Sequence, residues 1–146
     1  MQTIGQLLEA KGKDIWSISP HATVFEALRI MAKKDIGALL VIDNEKLVGI
    51  FSERDYVQKV ILKGKSSKET NVGDLMTREV FYIDPQNGVH ECMAVMTAHH
   101  IRHMPVFKNN QLIGMVTLGD VVKQVISDQE FTIRELEKYI SGGYET

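Results

Sequence analysis

A repeat of about 65 residues is the feature that most constrains the fold of this chain. When the 146-residue sequence is shifted along itself by 65 positions, residues 24–61 align with residues 89–126 without a gap. Twelve of these 38 positions are identical, where chance gives about two or three. Further upstream, "TIGQLL" (3–8) is echoed by "NVGDLM" (71–76) at an offset of 68. The chain therefore contains one structural unit written twice.

Each copy predicts the same order of secondary structure. Thr3 and Asn71 are predicted N-caps of a short helical turn. The segments "DIWSISP" and "EVFYIDP" are predicted to be extended and to end at their prolines. An amphipathic helix follows, with apolar residues at the spacing i, i+3, i+4 and i+7. A β-hairpin with its turn at 43–45 or 108–110 comes next, and a second helix ends the copy.

The junction between the hairpin and the second helix holds the repeated polar residues. The motif is "GIFSERD" in the first copy and "GMVTLGD" in the second. Ser52 and Thr117 occupy the N-cap position, and Asp55 and Asp120 follow three residues later. In one interpretation this is a capping box, in which the hydroxyl and the carboxylate bond only to their own backbone. In the other, the free amides and the helix dipole bind a phosphate, and the aspartate faces a ligand's hydroxyl groups.

This order of elements, given twice with the motif G-apolar-apolar-Ser/Thr-x-x-Asp, resembles a tandem pair of CBS (cystathionine β-synthase) domains, the Bateman module. "HIRHMPVF" (100–107) and "GIFSERDYVQKVI" (49–61) resemble in particular the stand-alone pairs of bacteria and plant organelles. The resemblance implies an α+β fold in which two βαββα CBS repeats pack with pseudo-twofold symmetry into one module. The predicted parts are CBS domain 1 at 3–63, CBS domain 2 at 71–128, and a C-terminal helix and tail at 129–146.

The function that the resemblance implies is a regulatory sensor without enzymatic activity and without a resident cofactor. Its ligand would be AMP, ADP or ATP, or a related adenosyl compound, bound in a cleft between the two repeats. The aspartate would accept hydrogen bonds from the two ribose hydroxyls, and the Ser/Thr hydroxyl and nearby cations would meet the phosphate. The alternative is a partner-binding or dimerisation module that senses S-adenosylmethionine or NAD(H), or that binds no ligand at all.

Carried onto this sequence, the resemblance implies two clefts, each built from both copies. The first cleft would be lined by Ile50, Ser52, Arg54 and Asp55 together with Tyr82, Asp84, Val89, Arg102 and His103. The second would be lined by Met115, Thr117 and Asp120 together with Ser17, Ser19, Val24, Gly37 and Ala38. The cationic residues of the first cleft align with glycine and alanine in the other copy. The first cleft is therefore predicted to be the principal site for a phosphorylated nucleotide.

The net charge, the cysteine count and the lengths of the apolar runs indicate the cellular compartment of the protein and the kinds of partner that it can bind. A net charge of −2 gives no support for a general nucleic-acid or anionic-membrane surface. Cys92 is the only cysteine, so no intrachain disulfide can form, and its place on an apolar helix face predicts a buried thiol. Neither a signal peptide nor an apolar run of membrane-spanning length is recognisable. A cytoplasmic protein is predicted.

Histidines of the second copy raise the question of a metal site. His99 and His103 are four residues apart, a spacing that suits two ligands on one helix. A predicted helix-to-strand boundary near Ile101 separates them, and no convincing third ligand follows. Neither a metal site nor a catalytic residue is predicted.

The segment "FTIRELEKYI" is predicted to form a separate C-terminal helix. Thr132 and Glu135 have the spacing of a capping box. The predicted apolar stripe consists of Phe131, Ile133, Leu136, Tyr139 and Ile140. This helix either packs on its own domain or contacts a second copy. Because the resembled family commonly forms module dimers, the resemblance implies a homodimer to which this helix contributes. Such a dimer would act on an unidentified regulated protein.

Overall fold

Two compact units make up the structure, a computed structural model that describes residues 2–141. The first-repeat unit contains residues 14–81. The second-repeat unit joins the start of the chain, up to Lys13, to the part that begins at Tyr82. The last part of the predicted tail, residues 142–146, lies outside the described residues.

The elements follow the predicted order in both copies. In chain order they are α1 (Ile4–Lys11), β1 (Ser17–Ile18), α2 (Val24–Lys34), β2 (Ala38–Asp43), β3 (Lys46–Ser52), α3 (Glu53–Asp55), a π-helix (Tyr56–Ile61), α4 (Val72–Leu75), α5 (Val89–His99), β4 (His103–Lys108), β5 (Gln111–Thr117) and α6 (Leu118–Ser141). The predicted hairpins and amphipathic helices are confirmed. Within residues 2–141, no helix combines the length and the apolar character needed to cross a bilayer.

The first-repeat unit contains a three-stranded sheet in the order β1-β2-β3. β1 pairs with β2 in parallel, and β2 pairs with β3 as an antiparallel hairpin. The apolar face of α2 and the inward residues of the hairpin form one core, in which Val24, Leu39 and Phe51 are fully buried. After α3 the helix widens into the six-residue π-helix, where the amide of Leu62 reaches back five residues to the carbonyl of Val57 (3.1 Å).

The second-repeat unit has a two-stranded sheet, β4-β5, because the predicted segment "EVFYIDP" forms only an isolated bridge between Ile83 and Val106. In the first copy, the amide of Leu40 donates to the carbonyl of Trp16 (3.1 Å) and extends the β1–β2 pairing. The equivalent of Leu40 is Pro105, which has no amide hydrogen. The missing donor explains why this strand is shorter than the sequence pattern suggests.

The first helical segments of the two copies are exchanged between the units. α1 packs into the second-repeat core through Ile4, Leu7 and Leu8, whereas α4 packs into the first-repeat core. The same contact secures both segments, since the amide of Gly5 donates to the carbonyl of Pro85 and that of Gly73 donates to the carbonyl of Pro20, each at 2.8 Å. The compact units therefore group the chain differently from the sequence copies.

The two predicted N-caps differ in detail. Thr3 forms a capping box with Gln6, as predicted for a helix start. Asn71 occupies the N-cap position of α4, but its side chain makes no capping hydrogen bond. The backbone of Asn71 is instead bridged to that of Thr23, so the start of α4 is fixed by main-chain pairing.

The prediction of a separate C-terminal helix is wrong. α6 runs without interruption from Leu118 to Ser141. Thr132 does not cap a helix start, because its hydroxyl donates to the carbonyl of Asp128 one turn earlier (3.0 Å). No glycine or proline occurs between Asp120 and Ser141, so nothing in the sequence ends the helix at that point.

Candidate functional site

The first-repeat junction, where β3 ends and α3 begins, forms a complete capping box. The amide of Ser52 donates to Oδ2 of Asp55 (3.0 Å), and the amide of Asp55 donates to Oγ of Ser52 (3.3 Å). The hydroxyl of Ser52 also donates to Oδ2 of Asp55 (3.1 Å). This is the arrangement that the helix-capping interpretation predicts.

The second oxygen of Asp55 is equally engaged. Oδ1 accepts a hydrogen bond from the hydroxyl of Thr77 (2.9 Å) and pairs with Nζ of Lys59 (2.9 Å). Lys59 also donates to the carbonyl of Leu75 (3.0 Å). Asp55 is only 4% exposed and receives four donors, which match the roughly four acceptor positions of a carboxylate. It therefore ties the motif to the π-helix and to the segment that ends α4.

The second-repeat junction, where β5 passes into α6, repeats the backbone part of this arrangement. The amide of Thr117 donates to Oδ2 of Asp120 (2.9 Å), and the amide of Asp120 donates to Oγ1 of Thr117 (3.1 Å). Nζ of Lys11 lies 2.6 Å from the same Oδ2 and also donates to the carbonyl of Met115 (2.8 Å). Within residues 2–141, Oδ1 of Asp120 accepts no hydrogen bond. The side chain is 27% exposed.

Cationic side chains surround this second-repeat junction. His103 lies opposite Thr117 in the β4–β5 register. Burial lowers the pKa of His103, the charges of Lys11 and Arg102 lower it further, and Asp120 opposes them. Burial alone would raise the pKa of Asp120, but hydrogen bonds from Lys11 and Thr117 outweigh it and the pKa is lowered. At neutral pH the junction therefore holds an ionised Asp120 and an uncharged His103, with Nζ of Lys11 beside them.

Several other predicted site residues act on the backbone of their own unit. Oγ of Ser19 accepts the amide of His21 (3.1 Å), and Oδ1 of Asp84 accepts the amide of Gln86 (2.8 Å). Ser19 and Asp84 therefore shape the turns at Pro20 and Pro85, two prolines that are also 65 residues apart. Tyr82 is exposed and packs edge-on against a phenylalanine of β4 at 5.3 Å between ring centroids.

The remaining predicted site residues are either buried in the cores or lie in the strands and the helix next to the two junctions. The side chains that are buried are Val24, Ala38, Val89 and Met115. Ile50 lies in β3 opposite Leu40, Ser17 lies in β1, and Arg54 lies in α3. The carbonyl of Gly37 accepts the amide of Glu53 (3.0 Å).

Within each unit, the motif lies beside the preceding strand of its own copy. Ala38 pairs with Ser52, and His103 pairs with Thr117. The carbonyl of Arg102 accepts the amide of Leu118 (2.8 Å). The sequence assigned residues at these positions to the cleft of the other copy, and that assignment stays a prediction.

Three residues with direct contacts to the motif aspartates were missed. Lys59 had a recognisable signal, because it lies four residues after Asp55 on the same helical face. Lys11 is the last residue of the exchanged segment α1, and Thr77 lies two residues after the exchanged segment α4. No spacing or periodicity in the sequence relates them to the aspartates.

The histidines do not form a metal site in the described part of the chain. Among residues 2–141, no group of three or more histidine, cysteine, aspartate or glutamate side chains could hold a metal ion. The predicted burial of Cys92 is confirmed, and burial raises the pKa of its thiol to about 11. The thiol is therefore protonated at neutral pH, which makes it a poor nucleophile.

Comparison with known proteins agrees with the duplicated motif and fold. The family model for the CBS domain matches residues 9–61 and again residues 72–127. The CBS domain-containing protein CBSX3, mitochondrial, of Arabidopsis thaliana is 40% identical over 152 aligned residues, which cover 97% of this chain and 73% of that protein.

Solved structures give the same result. A protein with CBS domains from Burkholderia ambifaria MC40-6 is 45% identical, with a TM-score of 0.85 over 88% of this chain and 96% of that one. The CBS domain pair of protein MJ0100, solved in complex with 5′-methylthioadenosine and S-adenosyl-L-methionine, shares the fold at 23% identity, with a TM-score of 0.77 over 88% of this chain and 98% of that one. With two family matches that together span most of its length, the chain belongs to the CBS domain family as a tandem pair.

Proposed function

We propose that this chain is a regulatory sensor that binds an adenosine-containing ligand, with AMP, ADP or ATP as the leading candidates. The observation that carries the proposal is the environment of Asp120. Its carboxylate is ionised and partly exposed, and Oδ1 accepts no hydrogen bond from the described residues. A carboxylate of this kind can accept a hydrogen bond from a ribose hydroxyl without losing an existing one.

Lys11 gives this junction a way to respond to a phosphate. A vicinal diol that engages both oxygens of Asp120 competes with Lys11 for Oδ2. A lysine displaced from Asp120 keeps its hydrogen bond to the carbonyl of Met115 but loses its carboxylate partner. Its ammonium group then lies near the N-terminus of α6, where an anionic phosphate is also favoured. Because His103 is uncharged at neutral pH, the positive charge at this junction comes from Lys11 and Arg102.

The contacts favour the second-repeat junction over the first. A ribose hydroxyl that approaches Asp55 must displace Ser52, Thr77 or Lys59 from a buried carboxylate, and each displaced buried donor costs about 1–3 kcal/mol. The sequence predicted the opposite order, with the Ser52/Asp55 cleft as the principal site. That order stays a prediction until binding is measured.

The family supports a regulatory role. The fold accommodates adenosyl compounds, since the MJ0100 pair was solved with two of them. A regulatory output requires that the ligand bind one conformation or assembly more tightly than another. The signal then passes to a partner protein or to a change in the assembly of this chain. Catalysis is not part of the proposal, and a cytoplasmic location stays a prediction.

Isothermal titration calorimetry with AMP, ADP, ATP, S-adenosylmethionine and NAD tests the proposal. Asp120→Asn should weaken adenylate binding about 10- to 100-fold, because it removes a charged acceptor of the ribose. Glu45→Gln, in the exposed hairpin turn, is the matched control and should bind like the wild type. Asp55→Asn shows which junction dominates.

Two outcomes contradict this proposal. If the wild type binds none of the five compounds at millimolar concentration, the alternative of a module without an adenosyl ligand is supported. If binding survives Asp120→Asn but is lost in a folded Asp55→Asn variant, the original prediction of a principal Ser52/Asp55 site is correct.

A further inference from the structure

The imidazole of His103 lies at the second-repeat junction without a hydrogen-bond partner. His103 begins β4 and lies opposite Thr117 in the antiparallel register with β5, so the two side chains are on the same face of the sheet. The preceding carbonyl, that of Arg102, accepts the amide of Leu118 (2.8 Å), which joins this corner to the first residue of α6. Among residues 2–141, no group forms a hydrogen bond with the ring nitrogens of His103.

The charges that act on His103 come from three places in the second-repeat unit. Lys11 ends α1, Arg102 directly precedes β4, and Asp120 lies in the first turn of α6. Burial of the ring lowers the pKa of His103, the two cations lower it further, and Asp120 opposes them. The imidazole is therefore neutral at pH 7 until a further anion arrives at the junction.

We propose that His103 distinguishes a phosphorylated ligand from an unphosphorylated one at this junction, by binding a proton when the phosphate binds. The inference rests on the proposed function, because it takes the Asp120 junction as the adenylate site. The proton passes from the solvent to the unprotonated nitrogen of the imidazole, and no covalent bond of the ligand changes. The imidazolium then donates a hydrogen bond to a phosphate oxygen, an acceptor that the described residues do not supply.

The direction of the effect follows from the charges. A phosphate dianion beside Lys11 and Arg102 offsets the two charges that lower the pKa of His103, and it adds an acceptor for the ring N–H. Both changes favour the protonated ring, whereas adenosine supplies neither of them. Binding of AMP should therefore be accompanied by proton uptake, and its affinity should increase as the pH falls.

Two other titrating groups at the site change in the opposite direction. Asp120 is already ionised, and a ribose that donates hydrogen bonds to its carboxylate stabilises the ionised form further. The phosphate group itself titrates near pH 6, and nearby cations favour its fully ionised form. Neither group takes up a proton when AMP binds. A net uptake that requires the phosphate therefore indicates the imidazole.

Isothermal titration calorimetry in buffers of different ionisation enthalpy measures this proton uptake. At pH 7 the full chain should take up about half a proton per AMP, and the affinity for AMP should increase about threefold from pH 7.5 to 6.5. Adenosine should bind without proton uptake. In His103→Gln the uptake with AMP should disappear, and the preference for AMP over adenosine should fall about tenfold. The affinity for adenosine itself should change little.

A matched histidine and a second measurement make the test specific. His90→Gln changes an exposed histidine in the first turn of α5, and it should keep the wild-type proton uptake. Nuclear magnetic resonance of the wild-type imidazoles needs no variant at this position. The pKa of His103 should rise when AMP is added and should stay unchanged with adenosine.

The outcomes separate this inference from the proposed function. If the wild type binds AMP without proton uptake, or if the uptake survives in His103→Gln, the inference is wrong and the adenylate site stands. A pKa of His103 that is the same with and without AMP also overturns it. If neither AMP nor adenosine binds at millimolar concentration, the inference and the proposed adenylate site fail together.

Discussion

The two strand-to-helix junctions share a motif but not its surroundings. Asp55 is buried and receives four donors from three other residues. Asp120 is partly exposed and shares one oxygen between Thr117 and Lys11, while its other oxygen accepts no hydrogen bond from residues 2–141. The comparison teaches that duplication preserved the backbone capping, while the exchanged segments supplied different neighbours. The carboxylate of one junction is buried among its donors, and that of the other is partly exposed.

Removal of the two carboxylate charges should separate the junctions most clearly. Asp55→Asn leaves Thr77, Ser52 or Lys59 facing an amide in a buried site and should cost about 3 kcal/mol of unfolding free energy. Asp120→Asn acts on a partly exposed group and should cost about 1 kcal/mol. Urea denaturation followed by circular dichroism measures both. Equal losses would mean that the two junctions contribute alike to stability.

Equivalent glycines next to the junctions should also differ. A Cβ on Gly49 would lie 2.7 Å from the sulfur of Met76 and 2.8 Å from the carbonyl oxygen of Thr77. A Cβ on Gly114 would meet the side chain of Leu8, with its two methyl groups nearest at 3.0 Å. Because a backbone oxygen yields less readily than a side-chain methyl group, Gly49→Ala should cost about 2 kcal/mol and Gly114→Ala about 1 kcal/mol. The same denaturation series gives the values, and a larger loss for Gly114→Ala would contradict the comparison.

Removal of Lys11 should change the binding of adenosine and of AMP differently, whereas removal of Lys59 should not. Lys11→Met removes the competitor from Oδ2 of Asp120, so it should strengthen adenosine binding by a few fold and lower the preference for AMP over adenosine by about tenfold. Lys59→Met, at the first-repeat junction, should leave that preference unchanged. Calorimetric titration of both ligands measures the ratio. An unchanged ratio in Lys11→Met would exclude this lysine as the phosphate contact.

The smallest expected effect is a pH dependence that arises from His103 and Asp120 at the second-repeat junction. Because the pKa of His103 is lowered in the folded state, the unfolded state binds more protons as the pH falls below about 6.5, and stability decreases with falling pH. The lowered pKa of Asp120 acts in the same direction at lower pH, since its contribution is lost as the carboxylate protonates.

His103→Gln should therefore flatten the stability profile below about pH 6.5, because it removes the group whose pKa is lowered by folding. Urea midpoints measured every half unit of pH give the profile. An unchanged slope would show that His103 titrates alike in both states.

The fold was largely predictable because its strongest signals are periodic and occur twice. The hairpins β2–β3 and β4–β5 follow from alternating apolar residues and turn residues, and α2 and α5 from their helical spacing. The shortened strand at Ile83 was also readable in principle, since Pro105 cannot donate where Leu40 does. The prediction of a helix start near Thr132 was wrong because it rested on the spacing of Thr132 and Glu135 alone. No glycine or proline lies between Asp120 and this pair to end the earlier helix, so α6 continues through it.

The candidate site was less predictable, for a physical reason. The motif residues Ser52, Asp55, Thr117 and Asp120 were found from their repetition. Their partners Lys11 and Thr77 depend on which unit α1 and α4 join, and that choice is made by tertiary packing, not by local sequence. The contact of Lys11 with Asp120, which the functional proposal uses, follows from the same choice.

The exchange of α1 and α4 also governs how the polypeptide can assemble as it is made. The backbone of Thr3 is bridged to that of Gly88, so α1 cannot dock until the second-repeat residues that it contacts have been synthesised. During that interval Ile4, Leu7 and Leu8 have no core to enter, although the first-repeat unit can close once residue 77 has emerged. Nascent chains stalled before α5 should therefore contain a folded first-repeat unit, while the α1 segment has not yet docked. A protein fused before Thr3 should slow the folding of the second-repeat unit more than that of the first-repeat unit.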